Sequence, residues 1–147
     1  MDRPLDHDEA DRLARASSLA LDAGEYADVP DAVVGRLRRL CLGLPEATEN
    51  PGWAGVQWRI RKRRFAHVLA VDFPAGPVVT LVVTAPGPEG DALRQGGPPF
   101  FAPAWGAAQV GLVLDRATDW DDVAELVTES YRALAPRSLG RLLDRPT

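Results

Sequence analysis

At 147 residues, with 46% hydrophobic and 26% charged side chains, the chain is long enough to bury one core and has the make-up of an ordinary globular protein, neither disordered nor fibrous. A single cysteine, Cys41, excludes an internal disulfide and a thiolate zinc cage, and no apolar run approaches the roughly 18–20 residues of a membrane-spanning helix, so a cytoplasmic protein with no membrane partner is expected. The net charge of −4 is unevenly held: residues 1–31 carry nine acids against three arginines, whereas the remainder, with twelve acids against fourteen bases, is mildly basic.

In chain order, residues 1–30 form an acidic leader in which weak periodicity over 8–21 (Leu13, Ala16, Ala20) predicts a marginal helix, and residues 31–147 form a single domain. Asp28-Val29-Pro30-Asp31 supplies a side-chain acceptor, a proline suited to a first turn and a carboxylate at the positive end of a helix dipole. Val33, Val34, Leu37, Leu40, Cys41 and Leu44 follow at helical spacing, with Arg36 and Arg39 on the wet side, until Gly43 and Pro45 end the helix. Val56–Arg61 alternates, placing Val56, Trp58 and Ile60 on one face and Gln57, Arg59 and Arg61 on the other. A second strand, Phe65–Val71, carries His67 on the face of Phe65 and joins the first through Lys62-Arg63-Arg64, a tight hairpin turn without glycine.

Val78–Thr84 reads as a third strand, Ala85–Gly90 as a loop, and Asp91–Gln95 as one helical turn. Phe100, Phe101 and Trp105 fall in a segment too rich in Pro and Gly to be regular, and Gln109–Asp115 is a fourth strand in which Gly111 leaves room for a neighbour. Thr118 or Asp119 caps a last long helix with the stripe Trp120, Val123, Ala124, Val127, Tyr131, Leu134, and Pro136 starts a short helix through Leu143. Helices, four consecutive strands, then helices predict an α+β, two-layer domain: an antiparallel four-stranded meander with helices packed on one face.

Leu40-Cys41-Leu42-Gly43-Leu44-Pro45-Glu46, Arg59-Ile60-Arg61 with Phe65-Ala66, Phe100-Phe101-Ala102-Pro103, Gly111-Leu112-Val113-Leu114-Asp115-Arg116 and Glu129-Ser130-Tyr131-Arg132 together resemble the YjbR/MmcQ family of small bacterial proteins, over about residues 31–144. The resemblance implies a CyaY-like fold, related in shape to frataxins, and a DNA-binding role without catalytic residues. It matches the family's wing-like hairpin to Arg59–Arg64 and, more loosely, a second wing to the turn after Thr84. Two departures are visible: this hairpin turn lacks a glycine, and the acidic leader lies outside the match.

Five cations within Arg59-Ile60-Arg61-Lys62-Arg63-Arg64, joined by Arg36 and Arg39 if those share the face, make DNA or another polyanion the expected partner of a non-enzymatic binding protein. The plainer reading is that these charges blunt a strand edge, and a pI of about 5.1 is low for a dedicated DNA-binding domain. Trp53, His67, Phe100, Phe101 and Trp105 are candidates for a ligand pocket, and the segment Phe100–Trp105 for a small-molecule or protein-interaction surface; the plainer reading is core packing. No nucleophile elbow, phosphate loop or dinucleotide fingerprint is present, Cys41 lies on a buried stripe, and His7 and His67 have no ligand-spaced partners, so no cofactor is expected. Asp119, Asp121 and Asp122 are explained by capping before any metal need be invoked.

Overall fold

The four predicted strands all pair antiparallel in a computed structural model of the chain, which describes residues 25–74, 76–103 and 105–144. They are β3 (Val56–Ile60), β4 (Arg63–Phe73), β5 (Gly76–Thr84) and β7 (Gln109–Leu114). Three further strands, β1 (Tyr26–Ala27), β2 (Ala47–Pro51) and β6 (Phe100–Phe101), raise the expected four to a seven-stranded sheet of order β2-β3-β4-β5-β7-β6, with β1 paired to β4. The additions escaped the periodicity because two of them are two residues long and β2, rich in polar residues and ending in proline, is an edge strand. The predicted helix over 8–21 lies outside the described residues.

Helix α1 (Asp31–Leu42) begins after Pro30, and α3 (Trp120–Leu134) is capped by Asp119, whose side chain accepts the Asp121 amide. Both pack on one face of the sheet. Helix α2 is longer than the single turn predicted: it spans Gly87–Gln95, because Pro88 sits in the first turn, where its missing N–H costs nothing. A short helix, α4 (Arg137–Gly140), and a 3-10 turn (Arg141–Asp144) follow.

One local irregularity rearranges the candidate residues. Trp58 pairs with Ala66 but Arg59 pairs with Arg64, so Phe65 is an extra residue in β4 and the alternation slips there. Phe65 and Ala66 consequently both join the helix-side core, with Leu37, Trp58, Val123 and Tyr131, and His67 falls on the opposite face. His67 therefore does not share a face with Phe65, as strict alternation would have required. That opposite face carries a second apolar cluster of Leu69, Val71, Val78, Val82, Phe101 and Val113. Phe101 fills the space left by Gly111, its cross-strand partner, where a Cβ would overlap the ring.

Segments of the resemblance meet in this core. The Ser130 hydroxyl donates to the Phe65 carbonyl (2.6 Å) and accepts the Thr84 amide (2.9 Å), tying α3 to β4 and β5. The Tyr131 hydroxyl donates to the Pro45 carbonyl (2.6 Å), and its ring meets Phe65 edge to face. These residues build the fold rather than a reactive site. Ser130→Ala leaves two backbone groups buried without partners, so a loss of roughly 2 kcal/mol in urea unfolding is expected; Ser130→Thr, which keeps the hydroxyl, should lose less.

Candidate functional site

The β3–β4 hairpin turns at Arg61-Lys62 rather than at Lys62-Arg63-Arg64, because the strand pairing continues through Arg63 and Arg64. Arg61 supplies the left-handed backbone (φ 56°) for which the sequence offers no glycine. Pleating then sends the five cations in different directions. Arg61 meets Glu46 at 3.5 Å, with both side chains exposed, and Lys62 is exposed at the tip. Arg63 reaches over the helix side to the Leu134 carbonyl at the end of α3 (3.4 Å). Arg59 and Arg64, directly opposed across the pair, lie on the other face.

On that face Arg59 and Arg64 border an aromatic cluster. The β2–β3 loop, Gly52-Trp53-Ala54-Gly55, folds onto β4, closed by a Gly52 N–H to Gly55 carbonyl bond of 3.0 Å. It holds Trp53 edge-on to Tyr26 (5.1 Å), His67 (5.6 Å) and Trp105 (5.7 Å), and the His67 and Trp105 rings are 5.3 Å apart. Trp53 remains 56% exposed. The Arg64 guanidinium lies 4.8 Å above the Trp105 ring, and Arg59 is braced by two bonds to Gln57 Oε1, at 3.2 and 2.9 Å.

His67 forms the floor. Its Nε2 stands 2.6 Å from the Ala54 carbonyl, which can only accept, so Nε2 carries the proton and Nδ1 is left to accept from Arg64 Nη1 at 3.4 Å. Burial lowers the imidazole pKa to about 4, the Ala54 carbonyl opposing the shift and the Arg64 and Arg59 charges adding to it. A neutral, fully buried ring of this kind positions its neighbours and does not exchange protons with a ligand at neutral pH. Arg64 is itself lowered from its ordinary value, first by burial and then by Arg59.

The structure thus unites Trp53, His67 and Trp105; Phe101 shares their face, buried in the apolar cluster on which Tyr26 and Trp105 pack, and Phe100 does not. Phe101 is interred on Gly111, and Phe100 packs on the helix-side core. Arg36 stands 4.8 Å over Trp120, at the start of α3, while Arg63 touches Leu134 at its end, so these two cations lie about 21 Å apart along one helix. Arg39 is exposed one turn further along α1. Cys41 is wholly buried and its thiol is pushed far above its ordinary pKa by burial. Among the described residues no group of three or more His, Cys, Asp and Glu is placed to hold a metal ion, and no helix is long and apolar enough to cross a membrane.

Sequence reasoning missed Tyr26, in a two-residue strand, and Glu49, which accepts Arg38 Nε and Nη2 (2.8 and 3.0 Å) and Trp58 Nε1 (3.0 Å). The Arg38 hydrogen bond is the main reason the Glu49 carboxyl lies below its ordinary range. No short-range signal could link Glu49 to Arg38, eleven positions away on another element.

The α+β domain thus has an antiparallel meander with helices α1 and α3 on one face and an arginine-edged aromatic cluster on the other. The chain belongs to the YjbR family, whose model matches residues 42–133. It is similar in fold to the crystal structure of Deinococcus radiodurans protein DR2400, which carries the domain called DUF419: TM-score 0.54, 22% identity, covering 77% of this chain and 88% of that one. No match was found among curated proteins.

Proposed function

We propose that this protein is a non-enzymatic nucleic-acid-binding domain that holds a polyanionic strand against the β3–β4 hairpin and the adjoining aromatic cluster. The observation that carries the reading is that Arg59 and Arg64 border the aromatic cluster, Arg64 lying 4.8 Å over Trp105, while Trp53 of that cluster is left 56% exposed although three aromatic neighbours surround it. Guanidinium groups at the border of a cluster that exposes an indole suit a phosphate backbone and a stacked base respectively. Lys62 and Arg61 extend the cationic edge at the tip, where the single exposed contact with Glu46 is weak and yields to a phosphate. Arg63 and Arg36, directed elsewhere, take no part.

Fluorescence anisotropy of labelled oligonucleotides, single-stranded and duplex, tests this at salt concentrations from about 50 to 200 mM. Weak binding that falls with salt is expected, and Arg59→Glu with Lys62→Glu should cut affinity by at least about tenfold and flatten the log–log salt slope by about 2. Trp53→Ala should weaken the single-stranded complex more than the duplex, by roughly 1–3 kcal/mol. Undetectable binding at about 50 mM salt, or affinity indifferent to salt, rejects the phosphate-contact mechanism.

A further inference from the structure

Between α2 and α3 lies a groove of about 770 Å³ whose character is opposite to that of the hairpin. Leu93 of α2, Phe100 of β6 and Leu126 of α3 line it as apolar side chains only partly covered by the core. Its rim is acidic: Glu89 comes from α2, and Asp122, Glu125 and Glu129 from α3, all exposed. Arg132, the one cation among the lining residues, is already held by Glu129 at 3.4 Å. Residues 32–147 as a whole carry more bases than acids, so this acidity is local rather than a reflection of the chain's net charge.

We propose that this groove is the docking site for a basic amphipathic helix of a partner protein. Positions 122, 125 and 129 place three carboxylates along one side of α3 over about 10 Å, two helical turns, which matches Arg or Lys side chains spaced i, i+3 and i+7 on an incoming helix. The apolar residues of that helix, on its adjoining stripe, cover Leu93, Phe100 and Leu126. A compact amine would satisfy the carboxylates and leave the apolar floor in water. A wholly apolar helix would bury the carboxylates without partners, which costs more than the floor contributes. Only a ligand that is cationic on one side and apolar on the next meets both demands.

The test uses the full chain and three probes: a 14-residue synthetic peptide of Leu, Arg and Ala in amphipathic helical order, the same composition scrambled, and spermine. At about 50 mM salt the ordered peptide is expected to bind at least ~10-fold tighter than the scrambled one, and Glu125→Lys with Glu129→Lys to weaken it a further ~10–100-fold. Glu89→Lys, on the other wall, should weaken it independently of any effect on α3, with melting curves confirming that each variant is folded. Lys62→Glu should leave peptide affinity unchanged, which separates this site from the hairpin. The proposal is overturned if the ordered peptide does not bind, if the scrambled peptide binds equally, if spermine displaces the peptide completely at equal concentration, or if the charge reversals change nothing.

Discussion

Gly55→Ala is expected to lower stability by roughly 2–5 kcal/mol, the sum of about 1–2 kcal/mol for an alanine forced into the left-handed region and about 1–3 kcal/mol for overpacking. Gly55 has φ 68°, and a Cβ there would overlap the Val68 carbonyl oxygen and press on Leu69 Cα. Both obstacles are backbone in the middle of β4, so no rotamer change relieves them. The β2–β3 loop would have to lift, carrying away Trp53 and the Ala54 carbonyl that holds His67. A drop in melting temperature of roughly 10 °C, with a change in tryptophan fluorescence, is the expected readout. Gly35→Ala is the control: that glycine is inside α1 with open space around it, and alanine there should be neutral or stabilising by up to about 1 kcal/mol. If the two variants melt alike, the loop is not seated on β4 as described.

Acid should destabilise the fold through His67 before most carboxylates titrate. The imidazole pKa is about 4 in the folded chain against an ordinary value of 6.5, so between those values the unfolded chain binds a proton that the folded chain refuses. The His67 contribution is therefore present in full above pH 6.5 and is lost as the pH falls towards 4. At about 1.4 kcal/mol per pKa unit the loss approaches 3 kcal/mol, an upper figure since burial is the dominant cause and local opening relieves it. Urea unfolding at pH 7, 5 and 4, compared with His67→Gln, isolates the effect. The glutamine amide is neutral throughout and can still donate to the Ala54 carbonyl. The wild-type chain should lose about 2–3 kcal/mol more than the variant between pH 7 and 4. Parallel losses would mean that His67 protonates without leaving its place, and the neutral Nε2–H assignment would fail.

The two predictions concern one construction, in which the aromatic cluster exists because a four-residue loop without bulky residues at its ends can lie flat on a strand. The strand itself was legible from Phe65, Val68, Leu69 and Val71. The cluster was not, because its members come from β1, the β2–β3 loop, β4 and the β6–β7 segment, and no spacing rule joins Tyr26 to Trp105. Trp53, His67 and Trp105, pocket candidates by residue type alone, are three of its rings. The same reasoning included Phe100 and Phe101, whose neighbouring positions send them to opposite faces, one to the helix-side core and one onto Gly111. The hairpin cations show the same limit: five charges in six residues are adjacent in the chain, but pleating and the bulge at Phe65 divide them among the tip, the helix side and the aromatic side.

Local periodicity and capping chemistry by themselves determined the helix after Pro30, the helix capped by Asp119, the four long strands and their antiparallel order, since each depends on residues within a few positions of one another. Only the tertiary structure decided which of those residues share a surface. A single extra residue in β4 reverses the face of everything before it relative to everything after it, and contacts such as Tyr131 to Pro45 or Ser130 to Phe65 join elements 86 and 65 positions apart. Sites assembled across such distances are set by packing, which a linear pattern does not encode.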